Sequence, residues 1–361
     1  SISFRFCKKF CKILFLQNFL QNLKDILLHM NKHKFNLLII FVFTLVFYHY
    51  CIYTEGFKVI VLGNEGGPRE NNISGYLIAS KSSNNFVALD AGSLLNGIYH
   101  AKKKNSFEDI SINCISTLGI EIEILQNHIK GYLISHAHLD HIAGLVLNST
   151  ADKKKSIFGI DSTINFMRDH IFNWQIWPNF GSEGKKPILN QYQYQRVKLK
   201  KRFPLPNTDL TVEAFLLNHD CCPSTAFLIE ASGNYILYFG DTAPDSLSAK
   251  KRMEAIWKRI FPLIQQNKLK GIFLECSYGQ KEKELYGHLN SKYMIEELTK
   301  LATFVDPKSP QTAIKDLKVI VTHIKGSLFK GRTSIESIQR ELETLNPVSY
   351  THLRAHETRH D

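Results

Sequence analysis

The chain has 361 residues, 44% of them hydrophobic, and a formal net charge of +12 at pH 7. That apolar fraction is ample for a sizeable core and excludes a mainly disordered protein, while the length holds one large α/β domain or two small ones. The basic residues fall in short scattered runs ("AKKKN", "DKKKS", "KLKKRF", "AKKRM") with no aromatic interleaving along one element, so they are expected to be solvated loops, and no nucleic-acid partner is expected.

Seven cysteines at irregular spacing, with no CxxC pair, exclude a structural zinc finger and argue against a disulfide-stapled scaffold. In chain order, the first 56 residues stand apart. From Met30 the chain reads MNKHKFNLLIIFVFTLVFYHYCIY, a short basic head followed by an apolar run. Such a run is short for a membrane span and typical of a signal-peptide core. Met30 is therefore the expected start and residues 1–29 an upstream extension. Residues 30–54 are expected to act as a signal peptide or an uncleaved membrane tether, so the protein should be exported (periplasmic or secreted) or membrane-anchored. At the other end, residues 348–361 ("VSYTHLRAHETRHD") have no apolar periodicity and are expected to be a non-native tail. Residues 57–347 are left as the folded domain.

Within that domain "FKVIVLG" is a β-branched apolar run ending in the glycine-rich "GNEGGPRE", and "SGYLIAS" and "NNFVALDAG" come next as strands. A helix is expected within 108–128. "GYLISHAH" is a buried strand running into a cluster of histidines, and Ile142, Leu145 and Val146 beyond it have the spacing of one helix face. Residues 157–206 are expected to hold a helix and then a polar, aromatic segment, "NWQIWPNF". The strands "LTVEAFLLNH", "TAFLIEAS", "NYILYFGD", "GIFLECS" and "LKVIVTHI" complete the domain, with helices at 247–268 and 290–304. Two sheets with helices outside accommodate this order.

The cluster is His136-x-His138-x-Asp140-His141. Desolvating several imidazoles side by side is costly unless something binds them, and a metal ion is such a binder. Imidazole nitrogens and carboxylates suit zinc. Further apolar runs end in single metal-competent side chains: His219 after "FLLN", Asp241 after "ILYFG" and His323 after "VIVT". One histidine at a strand end is usually just a core or surface residue. Three such ends in order after HxHxDH point to a common site.

HxHxDH followed by separate His, Asp and His resembles the metallo-β-lactamase superfamily. Within it, "HAHLDHIAGLVLNS" is similar to the signature of the class II cyclic-nucleotide phosphodiesterases. "LGNEGGPRENNISGYLI", "ALDAGSLLNGI", "STAFLIE", "YFGDT", "LECSYG", "LYGHLN" and "VTHIKGSL" resemble family blocks in the same order. The "KGSL" segment departs from the proline usual there, and "NHDCCPST" is bulkier than usual. The resemblance implies an α/β fold, the four-layer αββα sandwich of the superfamily. It also implies two Zn2+ ions: one on His136, His138 and His219, the other on Asp140, His141 and His323, with Asp241 bridging. The reaction it implies is hydrolysis of 3',5'-cyclic nucleotides (cAMP, and cGMP beside it) to 5'-nucleotides by a zinc-bridged hydroxide. Asp140 and His288, the latter in "LYGHLN", are expected to take part in the chemistry. Glu275 would orient from behind, and backbone N–H groups of "GNEGGPRE" could reach the site. Two readings compete: an RNA-processing endonuclease of the same superfamily, and a metal-binding protein without catalysis. The oligomeric state is left open.

Overall fold

The structure, a computed structural model, describes residues 56–110, 118–220, 222–326 and 335–345, with the backbone of 351–354. The expected signal peptide or tether falls outside the described residues. Among these, no helix is long and apolar enough to cross a membrane.

Two mixed sheets pack face to face. The first runs β1 (Phe57–Gly63), β2 (Gly75–Ser80), β3 (Phe86–Leu89), β4 (Ile129–Leu133), β5 (Lys155–Gly159) and β6 (Tyr192–Arg196), each beside the next. Its first three strands are antiparallel and the rest parallel. The second runs from β7 (Arg202–Pro204) through β8 (Thr211–Leu217), β9 (Ser224–Ala231), β10 (Asn234–Phe239), β11 (Leu269–Glu275) and β12 (Lys318–Thr322) to β13 (Thr351–Arg354), antiparallel as far as β10 and parallel after it. The edge strand β13 lies inside the segment set aside as a tail.

Continuous apolar runs form the central strands because each is covered on both faces, so alternation has no polar side to show. In β2, Tyr76 and Ile78 face the second sheet with Leu89, Leu133, Phe227, Ile229 and Tyr238, while Leu77 and Ala79 face helices. The outer layer of the first sheet includes α1 (Leu95–Lys103), the short α2 (Ile120–Glu123), α3 (Leu139–Asn148) and α4 (Asp161–Phe166). On the second sheet, α5 (Arg252–Gln265), α6 (Ser291–Val305) and α7 (Ile335–Leu345) bury Met253, Trp257, Leu298, Leu301 and Leu342 against Leu237, Leu274 and Val319. The architecture is the expected four-layer αββα sandwich.

Several expectations are corrected. The helix expected within 108–128 is present at 120–128, an α turn passing into a wider π turn that begins after the extended Gly119 (ψ 153°), but other details differ. The stretch from 157 opens as strand β5, since Ile157 and Phe158 pair with β4; only Asp161–Ile171 is helical. "YQYQR" is β6, with Tyr192 and Tyr194 buried on one face, a period-2 signal overlooked among polar neighbours. The helices α1 and α7 were likewise not anticipated. The "DKKKS" run is not wholly solvated: Lys155 is buried, bonded to Asp152 and the Leu125 carbonyl, while Tyr132 (2.5 Å) and Tyr192 (3.0 Å) donate to the other Asp152 oxygen.

Candidate metal centre

The parallel strands of both sheets end at the same edge of the sandwich, and the site is built from residues at and just beyond those ends. Asp90 comes after β3, Ser135 to His138 after β4, His219 after β8, Asp241 after β10 and His323 after β12, while Glu275 is the last residue of β11. Asp140 and His141 are in the first turn of α3. Asp90 (φ 50°) and His323 (φ 53°) adopt the left-handed backbone region, uncommon for residues with a Cβ and typical of functional turns. Gly240 is required by close approach: a Cβ there would lie 2.5 Å from both Ser135 Cβ and Ser224 Oγ.

All seven residues singled out as ligands converge. His136, His138, His219 and Asp241 offer atoms within 4.8 Å of one another, as do Asp140, His141 and His323. Asp241 sits between the two groups. Its Oδ2 is 3.5 Å from His136 Nε2, 3.8 Å from His219 Nε2 and 3.3 Å from His323 Nε2, and its Oδ1 is 3.3 Å from His141 Nε2. Asp140 Oδ2 lies 3.1 Å from His323 Nε2 and 3.9 Å from His141 Nε2. His288 and Asp241 group with His323 as well, with His288 Nδ1 3.7 Å from Asp241.

The partners of each ring assign its tautomer. His141 Nδ1–H donates to Asp90 (2.7 Å). Ser135 Oγ–H donates to the same Asp90 oxygen (2.7 Å), so His136 Nδ1–H must be the donor in its 3.0 Å bond to Ser135 Oγ. His219 Nδ1–H donates to the Gly287 carbonyl (3.0 Å). Ser277 donates to Glu275 (2.6 Å) and accepts from His323 Nδ1–H (2.9 Å). Four rings thus spend their outer nitrogen as a donor and turn a bare Nε2 lone pair inward; His138 alone presents Nδ1. Such outer partners fix ring orientation and raise ligand basicity.

These lone pairs test whether a metal fits. His136 Nε2 is 3.0 Å and His219 Nε2 is 3.3 Å from His138 Nδ1, which has at most one proton to offer the two of them, and the buried His141 Nε2 has no hydrogen-bond partner. Lone pairs left without a proton repel unless a cation sits among them. Five imidazoles and two carboxylates, in sets of three sharing Asp241, are a donor set suited to zinc. The electrostatics agree. Burial, then the charge of His141, holds His136 well below the ordinary imidazole range, and burial likewise lowers His138 and His219. For His141, burial is outweighed by Asp241, Asp90 and Asp140, which raise it; for Asp241, burial is outweighed by His141, His323 and His136, which lower it.

His288 is buried beside the seven. Its Nδ1 bonds Glu275 Oε1 (3.1 Å), its ring stacks on His323 at 5.1 Å, and Glu275 Oε1 also accepts from the Thr242 amide (2.8 Å). Burial lowers the His288 pKa, but the Glu275 charge and hydrogen bond outweigh it and raise it. Sequence reasoning passed over Asp90, Ser135 and Ser277. Asp90 was findable by the rule that found the others, since "FVAL" ends on it; Ser135 and Ser277 carry no signal of their own. The glycine-rich loop does not bring free amides to the site along its first half: Asn64 and Glu65 N–H bond the Asn72 carbonyl, and Gly66 N–H bonds that of Ile324.

Residues 56–355 match the family described as cAMP phosphodiesterases class-II. A 3',5'-cyclic-nucleotide phosphodiesterase of Aliivibrio fischeri is 37% identical over 295 residues, covering 81% of this chain and 88% of that protein. A protein of the same description from Schizosaccharomyces pombe is 30% identical over 316 residues, 82% of this chain and 89% of its own. Among solved structures, unliganded yeast PDE1 superposes with a TM-score of 0.68 at 24% identity, covering 83% of this chain and 98% of the other. The metallo-β-lactamase fold protein YhfI of Bacillus subtilis gives 0.52 at 16%, with 83% and 98% covered. Both likenesses show the fold.

Proposed function

The chain belongs to the class-II cAMP phosphodiesterases, and from that premise we propose that it hydrolyses 3',5'-cyclic nucleotides, cAMP first and cGMP beside it, to 5'-nucleotides at a centre of two zinc ions. The observation that carries this reading is the convergence of six metal-competent side chains around Asp241, four of them imidazoles with the outer nitrogen engaged and Nε2 turned inward. His136, His138 and His219 would hold one ion, Asp140, His141 and His323 the other, and Asp241 both. When bound, such a pair supplies positive charge to the phosphoryl oxygens and acidifies water enough to make it a nucleophile at neutral pH.

The chain's own groups do the rest. A water oxygen bonds to phosphorus and the bond from phosphorus to the ring 3'-oxygen breaks, so that oxygen departs needing a proton. His288 would give it: Glu275 engages Nδ1, which supports an oriented ring with Nε2 as the proton-carrying edge. Asp140 completes the chemistry as a carboxylate, held below the usual range because His141 and His323 outweigh its burial. Asp90 acts at a distance, orienting His141 directly and His136 through Ser135. The family does not favour the RNA-processing alternative.

The test is direct. Zinc-loaded protein is incubated with cAMP, cGMP, a 2',3'-cyclic nucleotide and a precursor tRNA, and elemental analysis counts the metal. About two zinc ions per chain and formation of 5'-AMP are expected, with Asp241→Ala losing both together. Cleavage of the tRNA with cAMP untouched, or a fully active protein holding one ion, would overturn the reading. Export is proposed too, on the basic head and apolar run from Met30; a reporter fused after residue 56 should leave the cytoplasm, and its retention there would refute this.

A further inference from the structure

Seven lysines of the described residues are partly or fully buried. Six have a partner for the ammonium: Lys58 with Asp109 (2.7 Å), Lys102 with Glu121 (3.0 Å), Lys130 and Lys270 with backbone carbonyls (2.6 and 2.7 Å), Lys155 with Asp152, and Lys300 with Glu297 (2.6 Å). The seventh is Lys325, two residues beyond His323, and its ammonium has no hydrogen bond or ion pair among the described residues. A half-buried lysine with no counter-charge among the described residues keeps its ammonium available to solvent or to an anion from outside the chain.

Its backbone is held in place. The Lys325 amide donates to the Ser277 carbonyl (3.0 Å), and Ser277 is the residue that bonds His323 and Glu275. The preceding residue, Ile324, donates to the Asn64 carbonyl (3.3 Å) and accepts from the Gly66 amide (3.2 Å). Lys325 is therefore clamped between the glycine-rich loop of one sheet and the turn after β11 of the other, at the rim of the metal centre.

We propose that Lys325 is a substrate-binding residue, its ammonium contacting a non-bridging phosphoryl oxygen of the cyclic phosphodiester. The inference rests on the phosphodiesterase reading for the identity of the anion. A phosphate monoester product, or inorganic phosphate, presents the same oxygens and should use the same contact. Lysine serves such oxygens as a point charge.

The experiment compares wild type with Lys325→Gln and Lys325→Arg, all zinc-loaded and full length. Zinc content and melting temperature should match wild type in both variants. For Lys325→Gln, KM for cAMP should rise and inhibition by inorganic phosphate should weaken by about 10–100-fold, the range for losing one charge-assisted hydrogen bond, with kcat falling less than KM rises. Lys325→Arg should recover most of both. Calorimetric titration with inorganic phosphate reads the contact without turnover, so the inference can fail while cAMP hydrolysis by wild type stands, or hold while it fails. Phosphate affinity and KM within twofold of wild type in Lys325→Gln would overturn it. So would loss of zinc from that variant, which would make Lys325 a support of the metal site.

Discussion

Replacing Asp90 by asparagine is the sharpest probe of how the surroundings of the metal centre hold its ligands. The side chain is fully buried and its carboxylate accepts four hydrogen bonds. One oxygen takes the Ser135 amide (2.7 Å); the other takes Ser135 Oγ (2.7 Å), His141 Nδ1 (2.7 Å) and Tyr238 OH (2.6 Å). Asparagine is nearly isosteric but carries one acceptor and one donor group. If its carbonyl replaces the three-bond oxygen, its NH2 faces the Ser135 N–H, donor against donor. If reversed, three donors are opposed, and His141 can bond only by moving its proton to Nε2, the atom meant for metal. The first orientation is cheaper, and still loses a bond to a charged acceptor, about 1.5–3 kcal/mol, and strands a buried N–H at about 1–3 more. We expect about 3–5 kcal/mol of destabilisation in the chelated protein by denaturant unfolding, with zinc affinity reduced about 10–100-fold in chelator competition. Stability within about 1 kcal/mol of wild type together with unchanged zinc affinity would refute the role given to Asp90, since a change smaller than one hydrogen bond leaves no strained network behind.

Gly66→Ala would place a Cβ 2.4–2.8 Å from three ring atoms of His323; the ring must move, and we expect zinc affinity to fall by about 10–100-fold in the same competition, whereas unchanged affinity would mean the loop yields instead. His288→Ala should keep its zinc while turnover of cAMP falls by about 10²–10⁴-fold, with a smaller defect on a p-nitrophenyl phosphodiester whose leaving group needs no proton; equal defects on both substrates would remove the proton-donor role. Asp152→Ala leaves the Lys155 ammonium buried without its counter-charge and should cost about 3–5 kcal/mol in thermal or denaturant unfolding, and a loss under about 1 kcal/mol, less than one typical hydrogen bond, would show that water reaches the site.

The sequence by itself determined the two-sheet architecture and the metal-competent set, for related reasons. Strands covered on both faces are apolar throughout, so "ILYF" and "VIVT" declare themselves, and the first titratable residue after each apolar run stands out where the chain leaves the core. Local signals were weaker where tertiary pairing overrode them. "SIFG" is too short for its period to separate strand from helix, and it is β4 alongside that makes it β5. Relations between distant residues were decided only in the folded molecule. That Asp90 and His141, 51 positions apart, share a 2.7 Å hydrogen bond is a consequence of β3 and β4 lying parallel with their ends at one edge. Pattern along the chain tells which groups leave the core at strand ends. Which nitrogen of each ring is left bare, and which half-buried lysine has no counter-charge among the described residues, depends on neighbours brought from elsewhere in the chain, and those only the tertiary structure supplies.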